Sequence, residues 1–173
     1  MENDMLKLFF LLKEMHFGKL MEVYTEGNAE NAVDRYPQDE HFVGMLKVEQ
    51  DFYQYLKTDF FCADGAFYAV WEENGAYISA LRMEPYKDGL LLEALETHPT
   101  YRQQGYAKKL VSAVLDFLSS GEYQRVYSHV HKRNIPSLKT HMTCGFQKIS
   151  EQATYIDGSV TQKLCTLVYV FKA

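Results

Sequence analysis

Apolar positions along this chain follow two different periods, and the change from one to the other divides it. From His16 to Arg35 the spacing predicts helix, with a break near Gly27 and a stop at Pro37. Residues 40–58 carry Phe42, Met45, Leu46, Phe52, Tyr53 and Leu56 close to helical spacing and predict a second helix. The run through Phe9, Phe10, Leu11 and Leu12 fits either a buried strand or part of a helix. Beyond Ala66 the period shortens. Ala66–Glu73 and Tyr77–Met83 read as strands, and Asn74-Gly75 between them signals a hairpin. A third strand is expected from Gly89 to Thr97, stopped by Pro99. Over residues 104–119, Ala107, Leu110, Val111, Val114, Leu115 and Leu118 form one apolar stripe, the clearest helix of the chain, with Gly121 as its stop. Gln124–His131 reads as a strand. Pro136 suits a first helical turn, so a short helix should run to Thr143, ended by Gly145. Phe146–Ile149 and Lys163–Phe171 complete the pattern as antiparallel strands.

This order gives an α+β fold, layered around one central mixed sheet. With 173 residues and no repeat, linker or low-complexity tract, the chain is expected to form a single domain, 1–173. Aromatic residues make up 14%, which favours half-buried strands and aromatic-walled clefts. The net charge of −5 argues against a nucleic-acid partner, which needs clustered Lys and Arg, and is compatible with a cationic substrate. Three cysteines, Cys62, Cys144 and Cys165, without a CxxC pair, suit a reducing compartment. The acidic start at residues 1–4 and the short apolar run broken by Lys7 do not make a signal peptide or a span. A cytoplasmic location without membrane association is therefore expected.

The most informative stretch is Arg102-Gln103-Gln104-Gly105-Tyr106-Ala107, which joins a strand to the strongest helix. A helix N-terminus presents unpaired N–H groups and about half a positive charge, and so receives phosphate well. Gly105 removes a blocking side chain, Ala107 is small, and Lys108 and Lys109 add charge. The same residues also fit a plain glycine turn before a helix. GxxxxGK[ST] and GxGxxG are both absent, which excludes those styles of nucleotide binding.

The turn has company. LEALETHPTYRQQGYAKKLVSAVLDFL, residues 92–118, resembles the acyl-CoA-binding segment of the GNAT superfamily of N-acetyltransferases, in which [RQ]-x-x-G-x-[GA] opens a helix. NIPSLKTHMTCGFQK, residues 134–148, is similar to the second family segment, with Asn134, Ser137, Gly145 and Phe146 at the family's offsets. Together the two segments cover residues 89–150, an acyl-CoA-binding core. Residues 1–60 show no specific match and are expected to form a variable helical region on the acceptor side.

The resemblance implies a mostly antiparallel sheet splayed into a wedge, flanked by helices, with acetyl-CoA as co-substrate. Pantetheine would pair with the backbone of Leu95, Glu96 and Thr97. The diphosphate would meet the turn of Arg102, Gln103, Gln104 and Gly105 and the helix start at Tyr106, Ala107 and Lys108. Asn134 and Ser137 would border the pantetheine arm. The implied reaction moves an acetyl group to a primary amine of a small molecule or peptide, by direct attack. A non-catalytic acyl-CoA-binding module and a protein lysine or N-terminal acyltransferase are alternatives, and a homodimer is open.

The chemistry asks for a base to take the amine's proton and a donor for the oxyanion. Glu93 and Glu96 are candidate bases because a carboxylate among apolar residues is costly. Their parity would point them to opposite faces unless a bulge intervenes. Glu93 is favoured. The family usually places a Tyr seven residues after the Asn to assist the leaving thiolate. Here that position is His141, a candidate acid or else a partly exposed bystander. His129 and His131 share one strand face but lack a third ligand, so no metal is expected. Cys144 reads as an incidental thiol, and Lys132-Arg133 as a solvated loop that could also touch a coenzyme phosphate.

Overall fold

The computed structural model describes residues 5–172; the acidic start read above lies outside the described residues. Its centre is a seven-stranded sheet in the order β1-β2-β3-β4-β5-β9-β6. The strands are β1 (Leu6–Phe9), β2 (Phe67–Glu73), β3 (Ala76–Tyr86), β4 (Gly89–Thr97), β5 (Arg125–His131), β6 (Gln147–Ser150) and β9 (Leu164–Val170). Two short strands, β7 (Ala153–Thr154) and β8 (Val160–Thr161), form a separate hairpin. The helices are α1 (Phe17–Val23), α2 (Thr25–Arg35), α3 (His41–Thr58), α4 (Tyr106–Leu118) and α5 (Ile135–Thr143).

Most of the expected elements form where the periodicity places them. Asn74 and Gly75 both take positive φ (50° and 76°), as a tight hairpin turn requires. The ambiguous N-terminal run resolves as strand β1, antiparallel to β2. The first helical segment breaks at Tyr24 rather than near Gly27, which lies inside α2. β3 continues past Met83 through Pro85, because β2 has already ended opposite Met83 and leaves that flank without a ladder. The β7–β8 hairpin is not anticipated by the sequence pattern.

Two apolar layers cover the sheet. On one face α4 buries Leu110, Val111, Val114, Leu115 and Leu118 against Leu81, Met83, Leu90 and Leu92. On the other, α1 and α3 pack Leu20, Met21, Val23 and Leu56 over Tyr68, Val70 and Ala80. All neighbouring strands are antiparallel except β4 and β5. That pair is in register only at Leu90–Val126, Leu91–Tyr127 and Leu92–Ser128, after which the two strands part into a wedge. Gly89 permits the close approach at the paired end, since a Cβ there would lie 2.1 Å from the Arg125 carbonyl oxygen.

Candidate active site

β4 carries a bulge. Ala80 is opposite Glu96 and Arg82 opposite Glu93, so a single residue of β3, Leu81, faces both Ala94 and Leu95. Ala94 takes a φ of 52°, rare for a residue with a side chain. The extra residue cancels the parity difference between Glu93 and Glu96. Both then point to the face of α1–α3, together with Arg82 and Ala80. The bulge is held from outside its own strand. The Tyr24 hydroxyl donates to the Ala94 carbonyl at 2.6 Å, so the Tyr68 hydroxyl, 2.9 Å away, must donate to Tyr24. Burial, with Tyr68 beside it, raises Tyr24 well above the usual phenol range and keeps that proton in place. Tyr24→Phe is expected to cost about 1–3 kcal/mol of unfolding free energy, because the Ala94 carbonyl loses its donor. Tyr68→Phe leaves that bond intact and should cost less. Urea denaturation of both variants checks the order.

The wedge opens into a cleft of about 530 Å³. It brings together Leu95, Glu96 and Thr97 from β4, the turn at Arg102, Gln103 and Gly105, the helix start at Tyr106, Ala107 and Lys108, and Asn134 and Ser137. Gln104 is the one expected contact that does not line it; its side-chain amide turns back to the Thr100 carbonyl at 3.5 Å. The turn is built for a ligand to approach its backbone. Gln103 and Gly105 have φ of 61° and 81°, and a Cβ on Gly105 would meet nothing within 4 Å. No side chain caps α4. Among the described residues, the amides of Gln103 to Lys108 donate to no protein acceptor. These uncapped donors beside an open space fit the diphosphate of a coenzyme.

Side-chain cations contribute less than the sequence suggested. Arg102 Nε holds the Thr97 carbonyl at 3.2 Å, and its guanidinium pairs with Glu26 and, at 3.8 Å, with Glu96. It therefore ties α2 to the turn. Lys109 stacks on Tyr106 instead of entering the cleft, 4.5 Å from the ring centre. Sequence reasoning missed Glu26, Gly27 and Glu30 of α2, which wall the cleft. Nothing local in that helix marks them, because they reach the turn only through tertiary contacts such as the Glu26–Arg102 pair.

Glu93 lies on the face covered by α1 and α3, paired with a cation. Arg82 Nε is 3.3 Å from its carboxylate, and Arg82 itself sits among the rings of Phe52, Tyr55 and Phe60. Burial and the adjoining Glu93 carboxylate push Glu84 up to about 8, which favours its protonated form at neutral pH. Glu84, one residue past the strand end expected at Met83, was not singled out in the sequence.

His141 occupies the expected place in α5, yet it is buried, 1% exposed, rather than partly exposed. Nδ1 lies 2.8 Å from the Ser137 carbonyl oxygen, which can only accept, so Nδ1 carries the proton. Nε2 then accepts from the Ser128 hydroxyl at 2.8 Å. Burial lowers the ring's pKa, and it stays neutral. Its one N–H is committed and it has no proton to give a thiolate. The ring links the Ser137 carbonyl in α5 to the Ser128 hydroxyl on the wedge strand. Burial raises the thiol of Cys144, whose neighbours are Ser112 and the Lys108 carbonyl, so it remains a structural group. Lys132 pairs with Glu151 at 3.5 Å, away from the cleft. Among the described residues no three His, Cys, Asp or Glu are grouped to hold a metal ion, and no helix is long and apolar enough to cross a membrane.

Comparison with solved structures returns the same architecture. The PaiA N-acetyltransferase of Thermoplasma acidophilum, solved with coenzyme A, superposes with a TM-score of 0.66 at 13% identity, over 96% of this chain and 99% of that one. The ribosomal-protein-S18-alanine N-acetyltransferase of Escherichia coli gives 0.63 at 14%, over 98% and 96%. A chimeric spermidine N-acetyltransferase from Vibrio cholerae gives 0.62 at 14%, over 96% of each chain. At these identities the likeness shows the fold. No curated protein sequence matches significantly. The profile of the acetyltransferase (GNAT) family matches residues 20–146, which include the wedge strand, the uncapped turn and the second segment through Phe146. The chain belongs to the GNAT acetyltransferase family, and its co-substrate is acetyl-CoA.

Proposed function

We propose that this enzyme acetylates a primary amine of a small molecule or peptide by direct attack, with both reactants bound at the wedge. The observation that carries the reading is the gap beyond Leu92–Ser128. Beyond it, Leu95, Asn134 and Ser137 line both the cleft and a smaller cavity that Glu93 also borders. Acetyl-CoA supplies the activated acetyl thioester. The amides of Gln103 to Lys108 receive its diphosphate, and the β4 backbone from Leu95 to Thr97 borders the pantetheine arm with Asn134 and Ser137. The Leu95 amide, next to the bulge, is the proposed oxyanion donor. Tyr24 supports it by fixing the Ala94 carbonyl on the far side. Glu93 and Glu84 offer hydrogen bonds that turn the neutral amine towards the bulge. Holding both reactants in line supplies much of the acceleration without a covalent enzyme intermediate.

Thiol release from acetyl-CoA, measured across a panel of primary, secondary and tertiary amines with both reactants varied, tests this. Turnover restricted to amines bearing N–H, with intersecting initial-rate lines, is expected. Parallel lines, or an acetylated protein isolated without acceptor, would overturn direct attack.

A further inference from the structure

The wedge holds a titratable group with no part in the scheme so far. Continuing the β4–β5 register two residues beyond Leu91–Tyr127 puts Glu93 and His129 side by side, on the same face, just past the last pair. His129 Nε2 is the only buried side-chain nitrogen or oxygen among the described residues with no hydrogen-bond partner. An orphaned buried polar nitrogen is costly, and its persistence calls for a reason. The ring is fixed edge-on by Tyr86 of β3 (5.4 Å between centroids, 86°) and Tyr155 of the β7–β8 hairpin (6.1 Å, 90°). That hairpin is itself anchored to the site by Tyr86, whose hydroxyl donates to the Thr154 carbonyl at 2.5 Å. With Glu93, Leu95 and Asn134, His129 lines a cavity of about 150 Å³ at the floor of the wedge.

We infer that His129 is the base of this enzyme, its ring taking the proton of the acceptor amine across the cavity it lines. This rests on the acetyl-transfer reading above and assigns the step that Glu93, already paired with Arg82, is poorly placed to perform. His129 accepts the proton that the amine nitrogen loses as the C–N bond forms. The C–S electron pair leaves on sulfur, which takes a proton from water, and His129 returns its own proton to water. No net charge is left on the protein. The charged groups facing the ring are Glu93 on β4 and Lys87 in the β3–β4 turn; Tyr86 and Tyr155 are its aromatic walls. Burial lowers the ring's pKa, Glu93 works against that and Lys87 with it, so the base is neutral at pH 7.

The test compares wild type with His129→Gln, using spermidine and phenethylamine as probe acceptors from pH 5.5 to 9.5. Turnover is expected to fall about a hundredfold or more, the usual worth of a positioned base. The acid limb of kcat/KM should flatten, while coenzyme A affinity stays unchanged. A rate close to wild type with the acid limb intact would overturn the assignment. If wild type turns over neither probe, the acetyl-transfer reading is what fails. The inference is then decided by an NMR titration of the His129 ring in the protein loaded with coenzyme A. A ring titrating below the ordinary histidine value and shifting when either amine is added supports it. A ring at that value, unmoved by amine, overturns it.

Discussion

Gly105→Glu is expected to abolish coenzyme A binding while the protein still folds. The new side chain would enter the open space over the turn, where a Cβ meets no protein atom within 4 Å. It would set a carboxylate against the diphosphate and screen the amides that receive it. Losing two charge-assisted hydrogen bonds of about 1.5–3 kcal/mol each weakens binding about a hundredfold or more. Gly105→Ala separates blockage from strain. At a φ of 81° any side chain strains the backbone, by about 1–2 kcal/mol, so alanine should cost affinity about thirtyfold at most. Calorimetric titration with coenzyme A and urea unfolding of both variants supply the readouts. Unchanged affinity in the glutamate variant would remove the phosphate cradle from this turn.

The second large effect concerns stability rather than binding. His141→Leu is expected to lower unfolding free energy by about 2–4 kcal/mol, since it leaves the Ser128 hydroxyl and the Ser137 carbonyl without partners in the interior. The pH dependence follows from the lowered pKa of the buried ring. The unfolded chain binds a proton that the folded chain refuses, so acid favours unfolding. The stability His141 contributes is complete above about 6.5 and is lost as pH falls through that value towards its own depressed pKa. The leucine variant should show a shallower slope across that window. Part of the slope should survive, because His129 shifts in the same direction. Denaturation from pH 5 to 8 measures both. Equal stability, together with loss of the alkaline limb of turnover, would return His141 to the role of proton donor.

The coenzyme turn was legible because its causes are local. A strand, a proline stop, a glycine that tolerates positive φ and an amphipathic helix all lie between Gly89 and Leu118, and each acts on its immediate neighbours. The catalytic face was not legible in the same way. Glu93 and Glu96 have opposite parity in the sequence and share a face only because of the bulge at Ala94. That bulge is fixed by Tyr24, 70 residues away. The helix break falls at Tyr24 rather than Gly27 for a related reason. A mid-helix glycine costs only about 1 kcal/mol, which packing overrides, whereas Tyr24 is committed to the sheet.

His141 and His129 show the same division more sharply. Family spacing marked the first, and strand position left the second as an ordinary histidine. Burial then set them apart: Ser128 and Ser137 take up both nitrogens of His141, while Tyr86 and Tyr155 flank His129, whose Nε2 has no hydrogen-bond partner. By itself the sequence determined most of the elements, their order and the place where a phosphate can meet bare amides, because side-chain periodicity and local backbone preference act over a few residues. Only the tertiary structure decided which groups hold or take a proton, because that depends on desolvation and on partners brought in from distant strands.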